Sequence, residues 1–548
     1  MIDCACWVFI EHKQHRTQIS IFFLTLMMIV IAVEFILFVV LCLFLLYKYW
    51  TSEYSYWEKR NVPYLKPSFP FGNIKDQVFN TTDVGNSYKN MYDLMPGVKY
   101  FGIFELGRPA LVLRDPTVIK AIMVKDFNHF MDRGHIHEDV KHDFMATGHL
   151  FNLKGDQWKS MRTKLIPMFT SERMKKMYHL MHQLSQKFGD FLKPLAEESS
   201  VLEFKDLIAR FTTDVISSCA LGMETNAITE EDSEVRRVSK LFFPSSIWNA
   251  VKLMLSINTP RLYNLLGLEQ LDPTVKEFCM QVAKETYNYR TKNNVHKDDF
   301  IGLLIKLKQN KDLYEDENEM SQGPRESDGK SDGLTFEEMA CQIFVIFAGG
   351  FETSSTVSST ALYEMALHPD IQEKVRKEVD EVLYRHNGVI TYQALKEMAY
   401  VEQVIYEALR RYSPFPVLTR NCTKQYQMSD GLVIEKGMRV IIPLLALHHD
   451  PDYYPEPYQF DPERFSPKNI RNHLGTTSIP FGDGPMVCLG QRFGKIQAKC
   501  VIATIVSQFE LSPVPETPAH LTIDPRQFLT TMEHPILIRL SKRRDKLH

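Results

Sequence analysis

The sequence predicts a mainly α-helical body with a small β region, carried behind a single N-terminal transmembrane helix. An apolar run from Ile19 to Tyr47, helical spacing through most of the remaining chain, and a strand-like alternation at residues 100–114 lead to that reading. The 548 residues are 44% hydrophobic, which is enough for a large core. A formal charge of −3 excludes the strongly basic surface of a nucleic-acid-binding domain. No break in composition marks a second domain, so the body is read as one.

The run ISIFFLTLMMIVIAVEFILFVVLCLFLLY carries Glu34 as its only charge. A helix of about 20 apolar residues spans a bilayer, and this run is longer. A carboxylate inside the bilayer is costly, so Glu34 is expected toward one interface. A buried core helix and a cleaved signal peptide are the competing readings, but no small-residue cleavage site follows. Lys48, Lys59, Arg60 and Lys66 follow the run, against Lys13 and Arg16 before it, which favours a cytosolic body. The chain therefore divides into an N-terminal extension (1–18), an anchor (19–47), a proline-containing linker (48–73) and the body (74–548). Pro63, Pro67 and Pro70 predict a stiff, extended linker. With the body in the cytosol, the sequons at Asn80 and Asn421 are expected to stay unmodified.

Within the body, YFGIFELGRPALVLR (100–114) reads as a β-hairpin around Gly107-Arg108-Pro109. The polar stretch 308–333 has no apolar stripe and reads as a mobile surface loop. A long helix follows. Thr335 and Glu338 fit a capping box, Leu334 and Met339 a hydrophobic staple, and the helix is expected to reach about His368, before Pro369. That is roughly 50 Å, enough to cross a domain. Gly349-Gly350 in its middle cost roughly 1 kcal/mol each relative to Ala, so something there needs a bare backbone. Another helix ends near Arg411-Tyr412-Ser413-Pro414, with an apolar stripe of Met398, Val401, Ile405 and Leu409. Glu407 and Arg410 lie off that stripe and by spacing alone read as an exposed ion pair.

The nine cysteines are scattered, which suits a reducing compartment and excludes a zinc ribbon or a local Cys-x-x-Cys pair around Cys488. In PFGDGPMVCLGQRFGK (480–495), Cys488 stands among Gly482, Gly484 and Gly490, just before a helical run. A helix N-terminus lowers a thiol's pKa, and the glycines let a loop turn tightly and approach a flat ligand. One cysteine ligand suits a haem-thiolate site, whereas an iron–sulfur cluster needs about four. A catalytic cysteine nucleophile and a structural glycine-rich loop remain alternatives on these residues alone.

Phe481 to Gly490 resembles the haem-binding loop of the cytochrome P-450 family, Phe-x-x-Gly-x-x-x-Cys-x-Gly. Further motifs follow that family's order: Trp158-x-x-x-Arg162, Gly349-Gly350-Phe351-Glu352-Thr353-Ser354, Glu407-x-x-Arg410 and Pro462-Glu463-Arg464-Phe465. The stretches 211–222 and 448–466 are most similar to insect microsomal family 6 enzymes. The resemblance covers roughly residues 60–548 and implies a triangular prism of helices around haem.

It also implies roles. Cys488 would be the axial iron ligand, in a cofactor-binding loop that includes Phe481, Gly484 and Gly490. Trp158, Arg162 and Arg420 would hold the haem propionates. Glu407, Arg410 and Arg464 would form a buried bracing network rather than an exposed pair. Glu352 and Thr353 would lie on the distal side, the hydroxyl facing bound dioxygen and the carboxylate supplying protons; the plainer reading of Thr353 is a bond back to its own helical turn. The implied activity is monooxygenation of apolar small molecules (xenobiotics, plant toxins, insecticides or endogenous lipids and hormones). Electrons would come from NADPH through a membrane-bound cytochrome P-450 reductase, with cytochrome b5 as an auxiliary donor. The implied location is the endoplasmic reticulum membrane.

Arg492, Lys495 and Lys499 share a helix face and read either as a docking patch for an acidic electron donor or as a solvated face. Phe347, Phe351, Val417, Leu418, Phe528 and Leu529 are the pocket residues that the resemblance suggests. Segment 241–268 is apolar enough for a membrane-dipping entry route or for ordinary core. The alternatives in function are an isomerase or dehydratase of the same fold that does not use dioxygen, and a non-catalytic haem sensor or carrier. The chain departs from the family pattern in two places. Met486 stands where the family has Arg or His, which predicts weaker haem retention and a gain from Met486→Arg. The chain also begins ahead of the usual anchor, which makes Met27 or Met28 the expected native start.

Overall fold

The computed structural model describes residues 2–137, 139–140, 142–243, 246–309, 333–470 and 477–543. Of the polar stretch 308–333, residues 310–332 lie outside the described residues. The chain forms two compact units, one of residues 1–74 with 103–109 and the other of 75–102 with 110–548.

In the first unit, α1 (Ile2–Thr51) is one continuous helix, so no backbone break separates the predicted extension from the anchor. Its side chains from Leu24 to Tyr49 are exposed, and its most apolar stretch has a mean hydropathy of 3.2. The helix is thus long and apolar enough to cross a bilayer. The expectation of an extended linker is corrected. Trp57 is only 2% exposed and its indole N–H donates to Ile103 O at 3.0 Å. Trp50 donates to Pro70 O at 2.6 Å, and Ser68 and Gly72 exchange backbone hydrogen bonds. Prolines stiffen this segment, but burying an indole and pairing its N–H folds it back on itself.

The predicted hairpin forms β1 (Tyr100–Glu105) and β2 (Arg108–Leu113). In the second unit, α2 (Gly155–Leu165), α3 (Ser171–Glu197), α4 (Phe204–Ile216), α5 (Phe336–Leu367), α6 (Ala399–Arg411) and α7 (Gln491–Gln508) position the site. Ala110–Val112 of β2 pairs in parallel with β4 (Arg439–Ile442), and β3 (Leu418–Asn421) pairs antiparallel with the same strand. A three-stranded sheet of Val201–Glu203, Phe509–Pro513 and Leu537–Lys542 and an antiparallel pair of Tyr426–Gln427 with Val433–Ile434 complete the described β region.

The long helix α5 starts as its sequence dictates. Thr335 Oγ1 accepts from Glu338 N at 3.1 Å and Glu338 Oε2 accepts from Thr335 N at 2.8 Å. It ends at Leu367, before Pro369. Its two central glycines serve different ends. A Cβ on Gly350 would lie 2.4 Å from Ile216 Cδ1, so the glycine lets α4 and α5 pack closely. A Cβ on Gly349 would meet nothing within 4 Å, so this position faces open space.

Candidate active site

The cysteine loop is shaped by its own backbone. Cys488 N donates to Phe481 O at 2.9 Å and Val487 N to Gly484 O at 3.0 Å. Gly482 (φ 74°) and Gly484 (φ 68°) hold left-handed conformations, and a Cβ on Gly484 would strike Met123 O at 2.1 Å. Gly490 differs from the expectation of a turn glycine. Its φ of −82° is ordinary, and it caps the start of α7. A Cβ there would lie 4.0 Å from Cys488 Sγ, so its effect is to keep bulk low beside the sulfur. Phe481 packs against the main apolar core. Met486, 4% exposed, belongs to the same core.

The Cys488 thiol has accessible surface, yet burial among protein atoms is the main influence on it and pushes its pKa up. Both facts hold if the sulfur faces an internal cavity rather than bulk water. The N–H groups of Gly490 and Gln491 and the guanidiniums of Arg162 and Arg133 pull the other way. The predicted lowering by the helix N-terminus is therefore present but outweighed by desolvation.

Three buried or half-buried arginines converge on this space. Arg162 of α2 donates to Val487 O at 2.6 Å and lies over the Trp158 ring, 5.6 Å from its centroid. Arg420 of β3 donates to Thr419 O at 2.8 Å, while its Nε is buried without a partner. Arg133, which the sequence reading missed, donates to Phe151 O at 3.0 Å. Burial lowers Arg420 to about 10; burial, then Arg420 and Arg162, lower Arg133 to about 9. Among the described residues none of the three has a carboxylate partner, and the buried Trp158 Nε1 has no acceptor. A thiol facing a cavity, flanked by uncompensated cations and an orphaned indole N–H, fits a flat dianionic cofactor such as haem. Arg133 lies in the irregular segment 131–137, where no periodicity flags it.

The motif that the resemblance put on the distal side lies in the middle of α5. Thr353 Oγ1 donates to Gly349 O at 2.7 Å, so the plainer reading of this hydroxyl is the observed one, and among the described residues no donor occupies its lone pairs. Glu352 does not join it. Its Oε1 accepts from Lys205 Nζ of α4 at 2.8 Å. Thr212 Oγ1, also from α4, donates to Phe351 O at 3.1 Å. Of the suggested pocket residues, Phe347, Phe351, Val417 and Leu529 are buried, Leu418 is half-buried, and Phe528 is 36% exposed. Phe347 and Phe351 pack edge-on against Phe242 at 5.2 and 6.1 Å. His135, Phe151 and Phe415, which no motif marked, extend this aromatic lining. His135 stacks on Phe151 at 5.0 Å, and Phe415 meets Phe528 at 6.2 Å. Burial, then the nearby arginines, hold His135 well below its usual pKa, so it is neutral.

Behind the cysteine loop, Glu407 and Arg410 are fully buried, against the exposed pair that spacing alone suggested. Arg410 forks onto Glu407 at 2.8 and 2.7 Å and donates to His448 O at 2.8 Å. Glu407 also accepts from Asp461 N at 3.0 Å and lies 3.6 Å from Arg464. Burial raises the Glu407 carboxyl and its donors oppose this; the forked geometry is that of an ionised pair.

The predicted three-cation docking face is also corrected. Lys495 and Lys499 clamp Glu402 at 2.9 and 2.7 Å, and Lys499 is buried. Only Arg492 of the three remains exposed, 3.3 Å from Ser171 Oγ.

The fold and this site together define a haem-thiolate enzyme. A family model described as "Cytochrome P450" matches residues 66–539. The chain is 37% identical over 499 residues to "Cytochrome P450 6a2" of Drosophila melanogaster, covering 89% of this chain and 96% of that relative. It is 37% identical over 498 residues to "Probable cytochrome P450 6a14" of the same fly, with the same coverage. It is also 35% identical over 484 residues to "Cytochrome P450 6k1" of Blattella germanica, covering 88% and 91%. The chain belongs to the cytochrome P-450 family and is a monooxygenase of the insect family 6 type, with haem as its cofactor. Membership implies a redox partner and an apolar substrate in general.

Proposed function

We propose that the body faces the cytosol from the endoplasmic reticulum and oxidises apolar xenobiotics or endogenous lipids. Electrons come from NADPH through cytochrome P-450 reductase, with cytochrome b5 as an auxiliary donor. One observation carries the cofactor assignment: the accessible Cys488 thiol lies within electrostatic reach of Arg162 and Arg133, and Arg133 within reach of Arg420, and none of the three arginines has a carboxylate partner among the described residues. Cys488 would bind the iron, and Trp158 Nε1, Arg162, Arg420 and Arg133 would hold the propionates. Phe481 and the loop glycines Gly484 and Gly490 would keep the sulfur at its station. Haem held in this way would supply dioxygen activation.

On the other wall, the open lone pairs of Thr353 can accept a proton-bearing water, and Glu352 is the nearest acid in sequence. The aromatic lining selects apolar, ring-containing molecules by excluding water and offering flat contact. Exposed Trp248, Leu262, Leu265 and Leu266 support membrane contact of segment 241–268, while Phe242 and Tyr263 turn inward as core.

Reduced, haem-loaded protein exposed to carbon monoxide is expected to give the long-wavelength absorption of sulfur-bound iron. Cys488→Ala abolishes that band; a variant that kept it would refute the ligand assignment. With reductase and NADPH, substrate-dependent dioxygen consumption separates an oxygenase from an isomerase or a sensor.

A further inference from the structure

Lys205 lies in the first turn of α4, outside every motif described above. Its ammonium has three N–H donors, and all three are used on one turn of α5. They reach Glu352 Oε1 at 2.8 Å, Ser355 Oγ at 2.6 Å and Thr356 Oγ1 at 2.9 Å. The pair is largely sheltered, with each side chain 16% exposed. A surface ion pair between two mobile side chains contributes little. This one is pinned by two hydroxyl groups of the same helical turn, and its acceptors at 352, 355 and 356 bracket Thr353 in sequence. Successive helical residues point about 100° apart, and among the described residues no hydrogen bond joins Glu352 to Thr353. Glu352 Oε1 is held by Lys205, while Oε2 accepts no hydrogen bond among the described residues. The carboxylate is therefore fixed in one rotamer with one oxygen free.

We propose that Lys205 is a positioning residue for proton delivery: it clamps Glu352 Oε1 so that Oε2 carries protons from solvent toward the Thr353 hydroxyl. The inference rests on the reading of Glu352 and Thr353 as the proton path. Lys205 contributes only its clamp; the proton comes from water, rides on Glu352 Oε2 and leaves toward the site, after which the carboxylate takes up another from water. Without the clamp, Glu352 loses both its counter-charge and its rotamer, so protons arrive late and reduced oxygen escapes as hydrogen peroxide.

The experiment uses haem-loaded holoenzymes of wild type, Lys205→Met, Lys205→Arg, Glu352→Gln and Lys205→Met/Glu352→Gln, with reductase and a turned-over substrate. Lys205→Met is expected to raise peroxide per NADPH several-fold and to lower product per NADPH, with an unchanged carbon monoxide spectrum. Lys205→Arg restores most of the coupling. In the Glu352→Gln background, Lys205→Met adds nothing further. An unchanged peroxide ratio in Lys205→Met overturns the proposal, and so does an equal effect in both backgrounds, which would mark simple helix gluing. If Glu352→Gln itself leaves the ratio at wild type, the underlying proton-path reading fails instead. Thermal unfolding of the same holoenzymes gives a readout apart from activity: non-additive shifts at 205 and 352 are expected, and additive shifts refute the clamp. Lys205→Gln takes the place of Lys205→Met should the latter not load haem.

Discussion

Arg410 and Arg420 are both buried, and they sit in opposite electrostatic settings. Arg410 forks onto Glu407, and its remaining donors reach the carbonyls of His448 and Gln459. Arg420, with Arg133 and Arg162 nearby, meets no carboxylate among the described residues, and burial depresses its pKa. A buried cation needs a counter-ion. The first cluster carries its own and is framework. The second lacks one among the described residues, the setting expected of a receptor for an anionic cofactor on the function proposed above. The two kinds of buried arginine therefore respond differently to mutation.

The largest expected effect is in the framework. Arg410→Ala strands Glu407 and should cost about 3–5 kcal/mol, read as a collapse of soluble, haem-loaded protein and a lower thermal midpoint. Arg420→Leu should do the reverse to the haem-free chain, leaving its thermal stability unchanged or higher. It should weaken haem binding by about 1.5–3 kcal/mol, the worth of a hydrogen bond to a charged group. Haem titration and transfer to an acceptor protein measure that loss. Equal destabilisation by both substitutions would break the distinction between the clusters.

The glycines of α5 sharpen the same contrast between framework and site. Gly350→Ala drives a methyl into Ile216 and should cost about 1–3 kcal/mol by overpacking. Gly349→Ala meets nothing within 4 Å and should gain up to about 1 kcal/mol of helix propensity. If α5 walls the site as proposed above, it should show instead in substrate-binding spectra, because its methyl enters open space. Comparing thermal unfolding with binding spectra for the pair separates the two functions.

The smallest effect concerns Glu402. Burial pushes its carboxyl up, but Lys499 and Lys495 outweigh this and hold it below the usual range. A group depressed in the fold stabilises above its unfolded pKa, about 4.3 for Glu, and loses that contribution as pH falls through the lower folded value. Glu402→Gln should therefore flatten the acid limb of a stability profile below about pH 5 and leave the neutral region nearly parallel to wild type.

Near-neighbour patterns were legible from the residues alone. The capping box at Thr335 and Glu338 and the hairpin at 100–114 are decided by interactions a few residues long, and the chain adopts both, with the hairpin turn at Leu106–Gly107 and Arg108–Pro109 already in the second strand. Gly482 and Gly484 turn as read, although the close approach of Met123 to Gly484 comes from far along the chain. The family motifs carried the identity of the cysteine loop and the convergence of Trp158, Arg162 and Arg420. Spacing misjudged the charges. Glu407 and Arg410 sit three apart on a helix whether exposed or buried, and only Asp461, Arg464 and His448, brought from elsewhere, make burial tolerable.

The sequence by itself determined where helices start, where the backbone must bend and which sulfur stands alone. Tertiary structure decided which charges have partners: Lys499 folded inward onto Glu402, Arg133 arriving beside Arg420, and Lys205 reaching across to Glu352. The physical reason is range. Backbone conformation responds to residues within a turn or two, whereas the free energy of a buried charge depends on whatever the rest of the chain sets beside it.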